Sequence, residues 1–177
     1  MPRQKANPPL RVLLNGRLVG YLDKAPSGAI SFRYDQGWLN WEHALPVSLS
    51  LPLAEAPYRG APVAAVFENL LPDIEPLRRR VAEKVGAAGT DAYSLLAAIG
   101  RDCVGALQFV TEGTETQNRT TDTITGEAVD DGAIERLLNG LAQTPLGLNR
   151  EDPFRLSMAG AQEKTALLWH EGRWYKP

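Results

Sequence analysis

The chain has 177 residues, 44% of them hydrophobic and 23% charged, enough for one domain or two small ones with a real core. A formal net charge of −2 excludes a global basic field that would gather nucleic acid or anionic membrane, while leaving a local basic patch open. A single cysteine, Cys103, excludes a disulfide framework and a multi-cysteine metal site, and points to a compartment that keeps thiols reduced. The N-terminal "MPRQKANPPLRVLLNG" holds no apolar stretch of signal-peptide length, and no window approaches the ~20 apolar residues of a membrane span. The expectation is a cytoplasmic protein without a membrane partner.

"LRVLLNGRLVGYL" opens the structured part. Asn15-Gly16 is a strong hairpin signal, because both central positions of a type I′ turn need positive φ. A second turn at "APSG" leads into "AISFRYD", which alternates as a strand does, so a small antiparallel meander is predicted. In "WLNWEHALPVSLSLPL", Trp38 and Trp41 lie one helical turn apart and read as core residues. "VSLSLPL" reads as a further strand, which Pro46, Pro52, Pro57 and Pro62 confine to edges or turns.

The middle turns helical. "VAAVFENLLPD" has helical spacing, and Asp73 is placed to cap the next helix. "IEPLRRRVAEKVG" carries a proline suited to a first turn and stops at Gly86; its Arg78, Arg79 and Arg80 read as a solvated face ahead of a phosphate or acidic-partner site. "TDAYSLLAAIG" starts at Thr90-Asp91 and stops at Gly100. "CVGALQFV" reads as a strand with Cys103 in the core, and "TEGTETQNRTTDTITGE" as an exposed loop. "DDGAIERLLNGLAQTP" is a helix with acid at its start, and "PLGLNREDP" a linker. Phe154 to Pro177 reads strand, loop, strand, turn at Glu171-Gly172, strand. His43 and His170 are far apart without other ligands near them, so no metal site is expected.

The last segment holds the chemistry. "RLSMAGAQEKTALL", Arg155 to Leu168, sets small residues and a glycine before Gln162, Glu163, Lys164 and Thr165. Backbone N–H groups in such a turn can converge on phosphate oxygens, and a lysine adds a point charge. An NTPase P-loop would place glycine directly before the lysine and a helix after it; here Glu163 precedes Lys164 and a strand-like "TALLW" follows. The pattern is closer to a kinase hairpin over the phosphates. On spacing alone, an ordinary hairpin turn explains it equally well.

"RLSMAGAQEKTALL" resembles the signature of HipA-type serine/threonine kinases, the toxins of a bacterial toxin–antitoxin family. "FENLLPD" at 67–73, "IGRDCVGALQF" at 99–109, "PLGL" at 145–148 and the early "GWL" and "PVSLSLPL" agree with it in order. The resemblance implies that Ala159, Gly160, Ala161, Gln162, Glu163 and Lys164 bind the phosphates of ATP, and that Ser157 is an autophosphorylation site whose modification shuts the kinase off. It implies a HipB-like DNA-binding antitoxin as partner, with DNA reached only through it, and a protein substrate of the aminoacyl-tRNA synthetase class, glutamyl-tRNA synthetase being the candidate. The family's nucleotide lysine, catalytic aspartate and magnesium-holding aspartate have no counterpart in these 177 residues, and Lys176 precedes the place for the first. The ligands of Mg are thus expected elsewhere, and this chain alone is expected to be inactive. The alternative is a non-catalytic regulatory subunit of a split kinase system. The expected fold is α+β: a small antiparallel, barrel-like β-rich subdomain with packed helices over 1–148, then the start of a kinase N-lobe antiparallel sheet over 149–177.

Overall fold

A computed structural model describes residues 7–102, 106–111, 126–140 and 167–176. β1 (Leu10–Leu14) and β2 (Arg17–Lys24) form the predicted hairpin, with Asn15 at φ 49° and Gly16 at φ 78°. β3 (Ile30–Tyr34), β4 (Tyr58–Arg59) and β5 (Leu107–Thr111) complete an antiparallel sheet in the order β4-β3-β2-β1-β5. Gly20 lies on β2 where a Cβ would stand 2.3 Å from the carbonyl oxygen of Arg33, so only glycine lets β3 approach there.

One face of this sheet carries Leu10, Val12, Leu22, Phe32 and Phe109, and the helices α2 (Ala61–Glu68), α3 (Glu75–Val85) and α4 (Ala92–Ile99) complete the core around it. Phe67 of α2 stands between Phe32 and Phe109, with ring centroids 5.6 and 5.7 Å away. Burying each such ring is worth about 1.5–3 kcal/mol of transfer free energy. The helix ends follow the sequence: Gly86 closes α3 in the left-handed region at φ 67°, and Asp91 caps α4 by accepting from the backbone N–H of Ser94 at 3.2 Å. Gly100 ends α4 against Phe109, where a Cβ would come within 2.6 Å of the ring's own Cβ.

Three expectations change. "VSLSLPL" is not a strand. A short helix α1 (Gln36–Leu39), capped by Asp35, precedes it, and Ser48 and Leu51 form one isolated bridge across a turn. Pro46 and Pro52 cannot donate to a ladder. Buried aromatic side chains take over: Tyr34 Oη accepts from Val47 N and donates to the carbonyl of Leu51, and Trp38 Nε1 donates to that of Leu45 at 3.0 Å. Asp73 does not cap α3: Ile74 stands at the N-cap without a side-chain hydrogen bond, and Pro76 removes one of the donors a cap would serve. Arg78 leaves the solvated face and turns inward, while Arg79 pairs with Glu75 one turn away, at 3.7 Å.

A second antiparallel sheet has the order β6-β8-β7, from β6 (Glu127–Val129), β7 (Leu168–His170) and β8 (Arg173–Lys176). α5 (Asp131–Gly140) follows β6, its first turn held by Asp130 accepting from Ala133 N at 2.7 Å. β6 begins at Glu127, the last residue of the stretch that the sequence reads as loop, and its pairing with β8 joins residues on both sides of the 148/149 division. The whole is α+β with antiparallel sheets. Among the described residues no helix is long and apolar enough to cross a membrane.

Candidate functional site

Ser157 and the phosphate-loop residues Ala159, Gly160, Ala161, Gln162, Glu163 and Lys164 lie outside the described residues, as does Cys103. The structure does describe what the loop runs into. Leu168 begins β7 three residues after Thr165, and a two-residue turn returns the chain as β8. That turn has Glu171 at φ 46° and Gly172 at φ 77°, the positive pair of a type I′ hairpin. From Leu168 onward the described chain after the motif is a tight antiparallel hairpin and not a helix.

The hairpin's register sets its faces. Trp169 pairs with Trp174 and Trp174 with Val129, so these three share one face; Leu168, Tyr175 and Ala128 share the other. The two indoles meet edge to face at 4.9 Å, and both are exposed, Trp169 by 55% and Trp174 by 37%. Gly126 allows β6 to reach β8: a Cβ there would lie 2.8 Å from the carbonyl oxygen of Lys176. The tryptophan pair is a feature the sequence reading passed over. Its signal was present, since Trp169 and Trp174 sit symmetrically about the Glu171-Gly172 turn.

The "FENLLPD" stretch is fully described. Phe67 and Leu71 are core residues. Glu68 is held by Arg78, whose guanidinium bonds to the Glu68 carboxylate through Nη1 and to the carbonyl of Pro72 through Nε. One side chain of α3 thereby fixes both the end of α2 and the turn after it, and the charge of Glu68 is engaged within the domain.

Lys24 of β2 and Asp91 of α4 form a further ion pair between elements, 2.8 Å apart, with Ser94 Oγ donating to the same carboxylate oxygen of Asp91 at 2.7 Å. Partial burial pushes the Asp91 carboxyl up, but the hydrogen bonds from Lys24 and Ser94 outweigh it and hold the group below the usual carboxylate range. Burial raises the hydroxyls of Tyr34 and Tyr93, each of which donates to a backbone carbonyl. These groups bind structure together. His43 and His170 each have only an adjacent glutamate as ionic neighbour, and no group of three potential metal ligands occurs among the described residues.

Comparison with known proteins agrees with this architecture. The family described as HipA N-terminal domain matches residues 10–110, which is β1 through β5 with the helices between them. A protein of Sinorhizobium fredii (strain NBRC 101917 / NGR234) named "Putative kinase Y4mE" is 34% identical over 164 residues, 92% of this chain and 39% of that protein. A chain in the solved complex of Shewanella oneidensis MR-1 HipA, HipB and operator DNA superposes with a TM-score of 0.65 at 22% identity, over 93% of this chain and 37% of that one. The chain thus spans well under half the length of either relative.

Proposed function

We propose, for a chain that belongs to the HipA family through its N-terminal domain, that it serves as the N-terminal portion of an ATP-dependent protein serine/threonine kinase of the toxin–antitoxin type. In this reading β1 to β5 and their helices form the domain that couples to the rest of the kinase. β6 to β8 form the first strands of the nucleotide-binding lobe. Ala159 to Lys164 cover the ATP phosphates, and Ser157 is the regulatory phosphorylation site.

The observation that carries the reading is the passage of "SMAGAQEKTALL" into the β7–β8 hairpin, in a chain a third identical to a relative named as a kinase. A phosphate cover built on a hairpin needs a rigid antiparallel return, and the Glu171-Gly172 turn and Gly126 supply one. A HipB-like antitoxin is the proposed partner, since the structural relative stands in a complex with HipB. The substrate is a protein serine, and an aminoacyl-tRNA synthetase is the proposed class.

Phosphoryl transfer depends on positioning and on neutralising charge with a metal and cations. The 177-residue chain on its own is therefore expected to transfer no phosphate, and a protein carrying it together with a kinase C-terminal half is expected to do so. The test is transfer of labelled phosphate from ATP by both, with Lys164→Ala in the longer one. Loss of one charge-assisted phosphate contact should weaken ATP binding by ~1.5–3 kcal/mol. Unchanged ATP affinity in Lys164→Ala would make the loop an ordinary turn.

A further inference from the structure

The face of the five-stranded sheet opposite the core carries a row of cations that the sequence scatters. The register places Arg11 of β1 opposite Tyr21 of β2, and Tyr21 opposite Arg33 of β3. Arg59 of β4 pairs with Ser31, two residues from Arg33 and on the same face. The Arg33 guanidinium lies over the Tyr21 ring, 4.0 Å from its centroid. With strands ~4.8 Å apart, the three arginines extend across ~15 Å perpendicular to the strands. Asp23, 3.7 Å from Arg33 Nε, is the one acid among the described strand residues of this face. Toward β5 the face closes over Leu13 and Val110, both buried, so its open part runs from Arg11 to Arg59.

We propose that this face binds the phosphate backbone of a nucleic acid, independently of sequence. All three cations are arginines, whose planar forks match phosphate oxygens two at a time. A ring stacked under one of them holds it in place at little entropic cost. An acidic protein segment would be drawn by the same charge, but protein interfaces are centred on apolar and aromatic anchors. Among the described residues none of the exposed large apolar side chains lies here: Leu45, Leu49 and Leu53 are in the loop after α1, Ile74 precedes α3, Leu138 is on α5, and Trp169 and Trp174 are on the second sheet. The one aromatic ring among the described strand residues of this face, Tyr21, is already covered by the Arg33 guanidinium, and a positive, polar surface of this kind is the profile of a phosphate-backbone contact. DNA would then be touched by this chain directly, and not only through a partner.

The test is fluorescence anisotropy of a labelled duplex of ~20 base pairs with the 177-residue chain at low salt, for two unrelated sequences. Equal binding of both is expected, with a log–log salt slope near −3 for about three neutralised phosphates. The triple variant R11Q/R33Q/R59Q should bind about tenfold or more weakly at low salt and lose most of the slope. Arg79→Gln with Arg80→Gln on α3 should leave binding unchanged. Should the triple variant not fold, as judged by circular dichroism, Arg59→Glu alone at the exposed edge strand should still weaken binding. No binding at low salt, or binding that survives these substitutions, overturns the proposal. So does displacement of the duplex by poly-glutamate at equal charge concentration, which would assign the face to an acidic protein segment.

Discussion

Arg78→Ala should be among the most damaging single changes to a charged residue in this domain. The side chain is only 13% exposed, and it bonds to the buried-turn carbonyl of Pro72 and to the carboxylate of Glu68, itself 37% exposed. A fully buried pair broken on one side costs about 3–5 kcal/mol and an exposed pair about 0–1 kcal/mol, so this half-screened clamp should fall near 2–3 kcal/mol. Removing the donor also leaves the Pro72 oxygen without its partner, which removing the acceptor does not. Glu68→Gln keeps an acceptor oxygen in place but leaves the Arg78 charge uncompensated, and should cost about 1–2 kcal/mol, less than Arg78→Ala. Arg79→Ala is the control: its pair with Glu75 is exposed and spaced i,i+4, worth about 0.3–0.5 kcal/mol. Urea unfolding of the three variants at neutral pH measures the order directly. Arg78→Ala no more destabilising than Arg79→Ala would refute the clamp, and Glu68→Gln costing as much as Arg78→Ala would refute the asymmetry.

Gly20→Ala should prevent normal pairing of β2 with β3, since its Cβ would stand 2.3 Å from a backbone oxygen; a loss of several kcal/mol or failure to fold is expected, read by thermal melting. Asp91→Ala removes the α4 cap and the Lys24 pair, for a loss of about 1 kcal/mol, up to about 2. Because the Asp91 carboxyl titrates below its unfolded value, its contribution is complete above the unfolded pKa of about 3.9 and is lost as pH falls through the folded one; Asp91→Asn should flatten that acid limb in melts taken from pH 7 to pH 3. Phosphate on Ser157 is tethered next to the proposed phosphate loop and should lower ATP affinity of the longer kinase; equal affinities of the modified and unmodified forms would dismiss that route.

Much of the fold was legible because its signals are local. Asn15-Gly16 and Glu171-Gly172 demand positive φ and became hairpins; Pro76, Gly86 and Asp91 mark helix ends and stand at them. The failures are equally physical. "VSLSLPL" alternates as a strand would, but alternation does not count donors, and two prolines with the aromatic donors Tyr34, Trp38 and Tyr58, the last to the carbonyl of Pro52, made it a braced loop instead. α1 has four residues and β6 three, too few for either to show a period. Arg11, Arg33 and Arg59 are separated by 22 and 26 positions, the differences of their own numbers, and only strand register makes them neighbours.

The candidate site divides along the same line, and the division bears on how a signature motif should be read. "FENLLPD" and "AGAQEK" are both specific stretches, and residue types alone give them equal claim to chemistry. The structure separates the first: Phe67 and Leu71 are buried, and Glu68 has its charge engaged by Arg78, so nothing charged in that part of the motif is left to meet a ligand. Its specificity follows from packing, where volume and one ion pair must both be right. "AGAQEK" has the opposite make-up. Alanines and a glycine carry little side-chain area to bury and few rotamers to fix, so matching of side-chain volume gives them less to do than it gives Phe67 and Leu71. Small residues leave the backbone open to another molecule, and in the proposed function that openness, rather than the motif's rarity, is the reason to look for the phosphate there.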